Sequence, residues 1–311
     1  MGKKIILITG SNGLVGKAFQ KISEKYNKYN YIFSTSKDCD LLDYTKTLEY
    51  FNKIKPNYVF HLAANVGGLY KNLNYKVDML EKNILMNFNI LKCCHLTDVE
   101  KCICMLSTCI FPDKTQYPIN ESMLHDGAPH NSNDAYAYAK RIMDIHCKAY
   151  NEQYNRNYSC IIPTNIYGPH DNFSLTDGHV IPALIHKCYL AKKNNIPFEV
   201  LGSGKPLRQF IYSDDLAELI LLSFEKLDRE NLIIANELEY SIKEISLLIA
   251  KAFDYENHII FNEKYSDGQF KKTADNSKLK SIINNYNFTT LNEGIKNSVN
   301  FFIENYDICR K

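Results

Sequence analysis

A tyrosine and a lysine four residues apart, Tyr136 and Lys140 in Tyr136-Ala137-Tyr138-Ala139-Lys140, are the first candidates for chemistry in this chain. On a helix that spacing brings both side chains to one face. An ammonium beside a phenol stabilises the phenolate. The pairing therefore predicts a Tyr136 pKa drawn down from ~10 towards neutrality, where the group can give and take a proton. Tyr138 falls off that face and is expected to pack. With 22 tyrosines in the chain the spacing arises readily by chance, so the pair needs a third member. Leu106-Ser107-Thr108-Cys109 follows directly on an apolar run, Cys102–Leu106, that reads as a strand. A hydroxyl at a strand end can hydrogen-bond the carbonyl that the tyrosine protonates. The plainer alternative for Ser107 is a helix or loop cap.

A second cluster is suited to a dinucleotide. The run Ile5–Thr9 is followed by Gly10-Ser11-Asn12-Gly13-Leu14-Val15-Gly16 and then by a helical pattern. A strand, a glycine turn and a helix N-terminus set backbone N–H groups against a pyrophosphate. Gly10 permits the tight turn, Gly13 the approach of the phosphates, and Gly16 close packing of helix on strand. A glycine triplet by itself is equally a tightly packed turn; the strand before it and the helix after it argue for the cofactor. The next predicted strand ends in Ser34-Thr35-Ser36-Lys37, with no acid before Asp38. A carboxylate there favours NAD, so its lack favours NADP, with Lys37 meeting the 2′-phosphate. The alternative for Lys37 is a solvated loop charge.

These residues need a scaffold, and the chain's rhythm supplies one. Strand-like runs at Lys3–Thr9, Tyr31–Thr35, Tyr58–Leu62, Cys102–Leu106 and Ser159–Pro163 alternate with amphipathic stretches at Leu14–Tyr26, Tyr44–Lys53, Met79–Cys94 and Tyr138–Tyr154. Alternating β and α segments predict an α/β fold, a Rossmann-type doubly wound parallel sheet with ligands at the carboxyl ends of its strands. After Pro163 the pattern changes to loops with helices near Ile181–Lys192, Leu216–Glu225, Ile242–Phe253 and Leu291–Tyr306, and a strand near Phe198–Leu201. Ser213-Asp214-Asp215 has N-cap chemistry for the second of these helices. The expected division is 1–170 for an NADP-binding Rossmann domain and 171–311 for a smaller, mainly substrate-binding α/β lobe, with part of the chain returning to the first sheet.

Bulk composition narrows the partners. The 311 residues carry 37 basic and 35 acidic side chains, so no global field points to nucleic acid or an anionic membrane. No run approaches the ~18 apolar residues of a membrane span, and the N-terminus has no signal-like apolar core, so a cytoplasmic enzyme is expected. The ten cysteines do not form zinc-type pairs, which predicts no metal site and mostly buried, reduced thiols.

The glycine turn, the strand-end serine and Tyr-x-x-x-Lys occur in the order and spacing of the extended short-chain dehydrogenase/reductase family, which the chain resembles. Four further blocks resemble the GDP-L-fucose synthase family within it: Ser107–Pro112, Pro163–Phe173, Gly178–Leu184 and Ser266–Lys272. The likeness runs from Ile5 to Phe302, and the second and third blocks are its most specific parts.

That resemblance implies 3,5-epimerisation of GDP-4-keto-6-deoxy-mannose followed by reduction at C4 with NADPH. Tyr136, Lys140 and Ser107 would serve the reduction and stabilise the carbonyl oxygen during enolisation. Cys109 and His179 match the family's acid–base pair, with Cys109 assigned as base and His179 as acid by analogy. Pro163, Asn165, Ile166 and His179 are expected along the cofactor; Lys187, Leu201, Arg208, Lys272 and Asp275 are expected along the GDP-sugar. His170 and His186 are expected to be structural. Three departures bear on this. Lys187 stands where some relatives have arginine, and Leu201 where many have tryptophan, of which this chain has none. Asn12 replaces an arginine that in some members helps hold the 2′-phosphate, which shifts that work to Lys37. The asparagine-rich stretch 284–290 is expected to be a surface loop. The resemblance also implies a homodimer through Met79–Cys94 and Tyr138–Tyr154. The rival readings are a nucleotide-sugar 4-epimerase or 4,6-dehydratase that recycles bound NAD, and a non-catalytic dinucleotide sensor.

Overall fold

The computed structural model describes residues 2–265 and 271–311. Short runs rich in Ile, Val, Phe and Tyr form β1 (Ile5–Thr9), β2 (Asn30–Ser34), β3 (Tyr58–His61), β4 (Lys101–Met105) and β5 (Tyr158–Pro163). Between and around them lie α1 (Leu14–Ser23), α2 (Tyr44–Ile54), α3 (Leu69–Asn74), α4 (Lys76–Leu96) and α5 (Asp134–Tyr154). Then follow β6 (Asn165–Tyr167), α6 (Val180–Asn194), β7 (Phe198–Leu201), β8 (Leu207–Tyr212), α7 (Ser213–Ser223) and β9 (Leu232–Ile234). The chain ends with β10 (Glu239–Ser241), α8 (Ile242–Ala252), β11 (Ile259–Asn262), α9 (Ser277–Ile282) and α10 (Leu291–Glu304).

Six strands pair in parallel in the order β2-β1-β3-β4-β5-β9. The chain steps outward from β1 to β2, then crosses back to β3 on the other side of β1. This reversal opens a crevice at the carboxyl ends of β1 and β3, the place where doubly wound sheets bind ligands. Alternate residues feed two cores. Leu7, Val59, Cys102, Cys104 and Ile162 face α2, α4 and α5, whereas Ile6, Ile8, Phe60, Ile103 and Ile161 face α1 and α7. Burial on both faces explains why these strands read as unbroken apolar runs.

A third core, with Phe173, Ile185, Phe198, Phe210, Ile249 and Phe302 at its centre, joins α6, α8 and α10 to two small sheets. Those sheets are β10-β8-β6 and β11-β7. Short strands at β6, β8 and β10 stand in the region read from sequence as loops with few strands. With three to six residues each, they are held by tertiary packing more than by any local signal.

Three expectations are corrected. The helix carrying the Tyr-x-x-x-Lys pair begins at Asp134, not Tyr138, which places Tyr136 in its first turn. Ser213 is the first helical residue of α7 rather than its N-cap, since Tyr212 holds the extended cap conformation. Asp215 then turns inward and accepts hydrogen bonds from the Thr289 backbone N–H and hydroxyl, both at 2.8 Å. The stretch 284–290 is a surface loop, as expected, and it docks on α7, with Tyr286 and Phe288 packed against the second core and its asparagines outward. Tyr138 is 45 % exposed rather than packed. It shares the outer face of α5 with Ile142 and Ile145, beside exposed Leu85 and Phe88 of α4.

Candidate active site

The cofactor end is built from backbone. Gly10 sits at φ +69°, and a Cβ there would lie 2.7 Å from the Ala63 backbone, so this turn presses directly on the segment after β3. A Cβ on Gly16 would come within 2.4 Å of the Ser11 backbone. Gly13 differs: its nearest neighbour would be the Gly10 carbonyl at 3.3 Å, leaving the space in front of it open. Gly13 is also the N-cap of α1 and provides no side-chain cap, so the first N–H groups of the helix point outward for an anion. These features fit a pyrophosphate. Ser11 is committed elsewhere, donating from its backbone N–H and hydroxyl to the Ser34 carbonyl and so locking the turn to β2.

Asn12 is exposed, and Leu14 and Val15 are half-buried at the start of α1. At the end of β2 the Asp38 carboxylate folds back to accept from the Thr35 N–H and hydroxyl. Lys37 is exposed beside it, its side chain making no ion pair among the described residues. Beneath the turn, Thr9 Oγ1 lies 2.9 Å from His61 Nδ1, whose Nε2 meets Asn87 Oδ1 at 3.0 Å. Burial lowers His61 to about 4, so the ring is neutral and ties β1, β3 and α4 together. Sequence reading passed over this buried chain because each member looks ordinary alone.

At the end of β4, Ser107 caps the short 3-10 turn Thr108–Ile110, accepting from the Cys109 N–H at 3.4 Å. The cap alternative is thus real, yet accepting a bond leaves the hydroxyl proton free to be donated. Tyr136 and Lys140 are both buried on the inner face of α5. The expected downward pull on the phenol is not found. Lys140 Nζ donates to the Met105 carbonyl at 2.8 Å and lies 5.9 Å from the centre of the Tyr136 ring. Burial, and then the nearby Cys109, raise the Tyr136 pKa, while burial lowers Lys140 to about 8. The phenol therefore waits protonated, as a proton donor must.

Two hollows are lined by several of the remaining expected residues. Cys109 lines one with Thr108, Asp113, Tyr117, His130 and Lys272. His179 lines the other, a cavity of about 330 Å³, with Asn165, Ile166, Leu201 and Arg208. Burial lowers the Lys272 ammonium, which also feels Cys109, Arg208 and Asp113. His179 is the N-cap of α6, open to solvent through the cleft but walled by protein, and this desolvation depresses its pKa. Arg208 on β8 donates to the Leu207 carbonyl at 2.7 Å. Leu201, at the end of β7, is 50 % exposed, an apolar wall with no aromatic plane.

Other expected residues stand apart from these walls. Lys187 lies on α6, 3.6 Å from the Glu199 carboxylate. Asp275 caps the approach to α9 through the Ser277 N–H at 2.7 Å. Pro163 is buried at the end of β5. His186 bonds the Phe173 carbonyl and His170 packs on Phe301, both structural roles. Residues 266–270 of the fourth signature block lie outside the described residues. Asp113, Tyr117 and His130 were missed; their signal was a long segment after a strand end, where ligand sites gather. All ten cysteines are free, and of these Cys109 and Cys309 are only half-buried. Among the described residues no His, Cys, Asp and Glu cluster could hold a metal, and no helix is long and apolar enough to cross a membrane.

Residues 6–235 match the model of the NAD dependent epimerase/dehydratase family. Over 99 % of its length the chain is 51 % identical to the GDP-L-fucose synthase of Dictyostelium discoideum, covering 98 % of that protein. It is 32 % identical to the Escherichia coli GDP-L-fucose synthase, with both chains fully covered. The crystal structure of a GDP-L-fucose synthetase from Naegleria fowleri bound to NADP superposes with a TM-score of 0.95 at 44 % identity, covering 100 % of this chain and 96 % of that one.

Proposed function

The chain belongs to the NAD dependent epimerase/dehydratase family and within it to the GDP-L-fucose synthases, and from that premise we propose how its own residues carry out the reaction. It converts GDP-4-keto-6-deoxy-D-mannose to GDP-L-fucose by epimerisation at C3 and C5 and NADPH-dependent reduction at C4. The observation that carries the reading of the site is that the loop bearing the thiol Cys109 is tied to the head of α5, the helix of the reductase tyrosine Tyr136, by the Asn133 amide donating to the Cys109 carbonyl at 3.1 Å.

Bound NADPH supplies the hydride that reduces C4. The turn Gly10–Gly16 and the N-terminus of α1 take its pyrophosphate, and Lys37 takes the 2′-phosphate. Ser107 and Tyr136 donate hydrogen bonds to the C4 oxygen, which stabilises the enolate left when a proton leaves C3 or C5. Cys109 removes that proton and His179 returns one to the other face, inverting each carbon in turn. Tyr136 then gives its proton to the C4 oxygen as the ketone is reduced, and the Lys140 ammonium stabilises the phenolate left behind. Arg208 and Lys272 bind the diphosphate, with Lys187 reaching it by exchanging its Glu199 partner. Segment 1–170 chiefly serves the cofactor and 171–311 chiefly the GDP-sugar.

Two wider readings go with this. The exposed apolar side chains Leu85, Phe88, Ile142 and Ile145 on α4 and α5 suit a homodimer face. The enzyme works in the cytoplasm, where NADPH and nucleotide sugars are available. The test of the activity is NADPH oxidation with GDP-4-keto-6-deoxy-D-mannose, NADH in parallel, and product assignment by NMR. GDP-L-fucose formed with NADPH supports the reading; a folded enzyme that leaves NADPH untouched sinks it and favours an NAD-recycling epimerase or dehydratase.

A further inference from the structure

Arg141 follows the catalytic-helix lysine and points away from it, and nothing in the reaction above uses it. It is only 6 % exposed. Its Nε donates to the Ile110 carbonyl at 2.7 Å and its Nη1 to the Gly127 carbonyl at 2.6 Å. Nη2 is buried with no hydrogen-bond partner among the described residues. Among the described residues no carboxylate forms an ion pair with the group; the Tyr138 ring lies 5.9 Å away. Burying a guanidinium without a counter-ion is costly, and an apolar side chain of similar volume would fill the space at less expense. What the guanidinium does that an apolar group cannot is grip two loop carbonyls in fixed geometry.

The gripped loop is the one that carries Cys109. Its 3-10 turn has three residues and internal hydrogen bonds of 3.3 Å (Ile110 N–H to Ser107 carbonyl) and 3.4 Å (Phe111 N–H to Thr108 carbonyl). A turn so short and so weakly bonded does not set its own shape. A second catch comes from Asn133, the N-cap of α5, whose Nδ2 donates to the Cys109 carbonyl at 3.1 Å. The two catches stand eight residues apart on one helix, roughly 12 Å along its axis. Tyr136 lies between them on the same rod.

We propose that Asn133 and Arg141 form a clamp on α5 that registers the Cys109 loop against Tyr136, so that epimerisation and reduction share one aligned site. Both are positioning residues, since they act through backbone carbonyls and touch no reacting atom. The clamp rests on the reading of Cys109 as an epimerisation group. Its loss loosens the thiol while leaving Tyr136, Lys140 and the glycine turn in place, so it separates two activities that a general loss of stability would lower together.

The test uses the full chain and GDP-4-keto-6-deoxy-D-mannose. Deuterium wash-in at C3 and C5 is followed in D2O with NADP+, and NADPH consumption, product stereochemistry and the NADPH dissociation constant are measured alongside. Arg141→Met is expected to slow wash-in by tenfold or more, approaching the roughly 100-fold that an ångström of misplacement can cost. NADPH affinity should stay within about twofold, and the share of C4-reduced sugar not inverted at C3 and C5 should rise. Arg141→Lys, able to reach one carbonyl at a time, should fall between Met and wild type. Unchanged wash-in, or wash-in and reduction falling by one common factor, overturns the clamp. Should Arg141→Met not fold, Asn133→Ala removes the other catch and is judged by the same ratio. A wild type that consumes NADPH without any wash-in overturns the epimerase reading itself, and the clamp's role with it.

Discussion

At the glycine turn, one continuous strand–turn–helix stretch does all the holding; at the Cys109 cleft, side chains arrive from the β4 loop, α5, β8, the head of α6 and the segment before α9. The first region presents backbone N–H groups, which cannot be substituted away and are placed by three glycines with distinct jobs. The second presents Cys109 and Lys272 in one hollow and His179 and Arg208 in another, side chains drawn from segments far apart in the chain. A site made of backbone is local and robust to distant change. A site made of side chains depends on the packing of everything that carries them.

The sharpest way to divide the two chemistries in the cleft is at the hydroxyl and the thiol. Tyr136→Phe is expected to lower NADPH-dependent reduction by about 10²–10⁴-fold, the range of a lost general acid. Cys109→Ser should instead lose deuterium wash-in while NADPH is still consumed. NMR of the reduced sugar and of the washed-in substrate separates the two, and equal losses of both activities in both variants would show that the cleft does not divide this way.

The glycine turn is tested next. Gly16→Ala drives a Cβ against the Ser11 backbone at 2.4 Å, and overpacking of this kind costs about 1–3 kcal/mol, read as a lower Tm. Gly13→Ala meets only a carbonyl at 3.3 Å and should fold normally but bind NADPH more weakly, because the methyl stands where the pyrophosphate is proposed to lie. If both variants lost stability alike and neither lost affinity beyond that, the turn would be a packing motif and not a phosphate cradle.

The smallest effects are those of pH. Burial lowers Lys140 to about 8, so the ammonium beside Tyr136 discharges as pH rises through that value and reduction should fall there. Stability moves the other way for this group. Its folded pKa lies below the unfolded one, so the unfolded chain binds more protons between about 8 and the ordinary 10.5, and stability gains with pH across that window. His179 is depressed below its ordinary 6.5, so an acid role predicts inversion that quickens as pH falls through neutrality towards that lower value. A profile that slows in that range would make His179 the base and Cys109 the acid.

Much of the scaffold was legible. The five N-terminal strands, the glycine turn and the Tyr136/Lys140 face were read within a few residues, because strong apolar runs and a Gly-rich turn act locally. The pairing of Cys109 with His179 rests on resemblance, since a lone thiol and a loop histidine carry no spacing that links them. Helix α5 begins earlier than expected, and Asn133 at its N-cap turns its amide to the Cys109 carbonyl instead of capping the helix. Stretch 284–290 was legible as a surface loop, but its asparagine content gave no sign that the Tyr286 and Phe288 rings anchor it.

The amino-acid sequence by itself determined the parallel sheet, the place of the dinucleotide turn and the identity of the groups able to move a proton. Each of these follows from contacts between near neighbours along the chain, or from side-chain chemistry. Only the tertiary structure decided that Tyr136 waits protonated, that Lys140 is held by the Met105 carbonyl, that Lys272 lines the hollow of Cys109, and that Arg141 grips the loop that carries this thiol. These are matters of burial and long-range placement. Desolvation and the geometry of distant carbonyls arise only when separate segments close around one another.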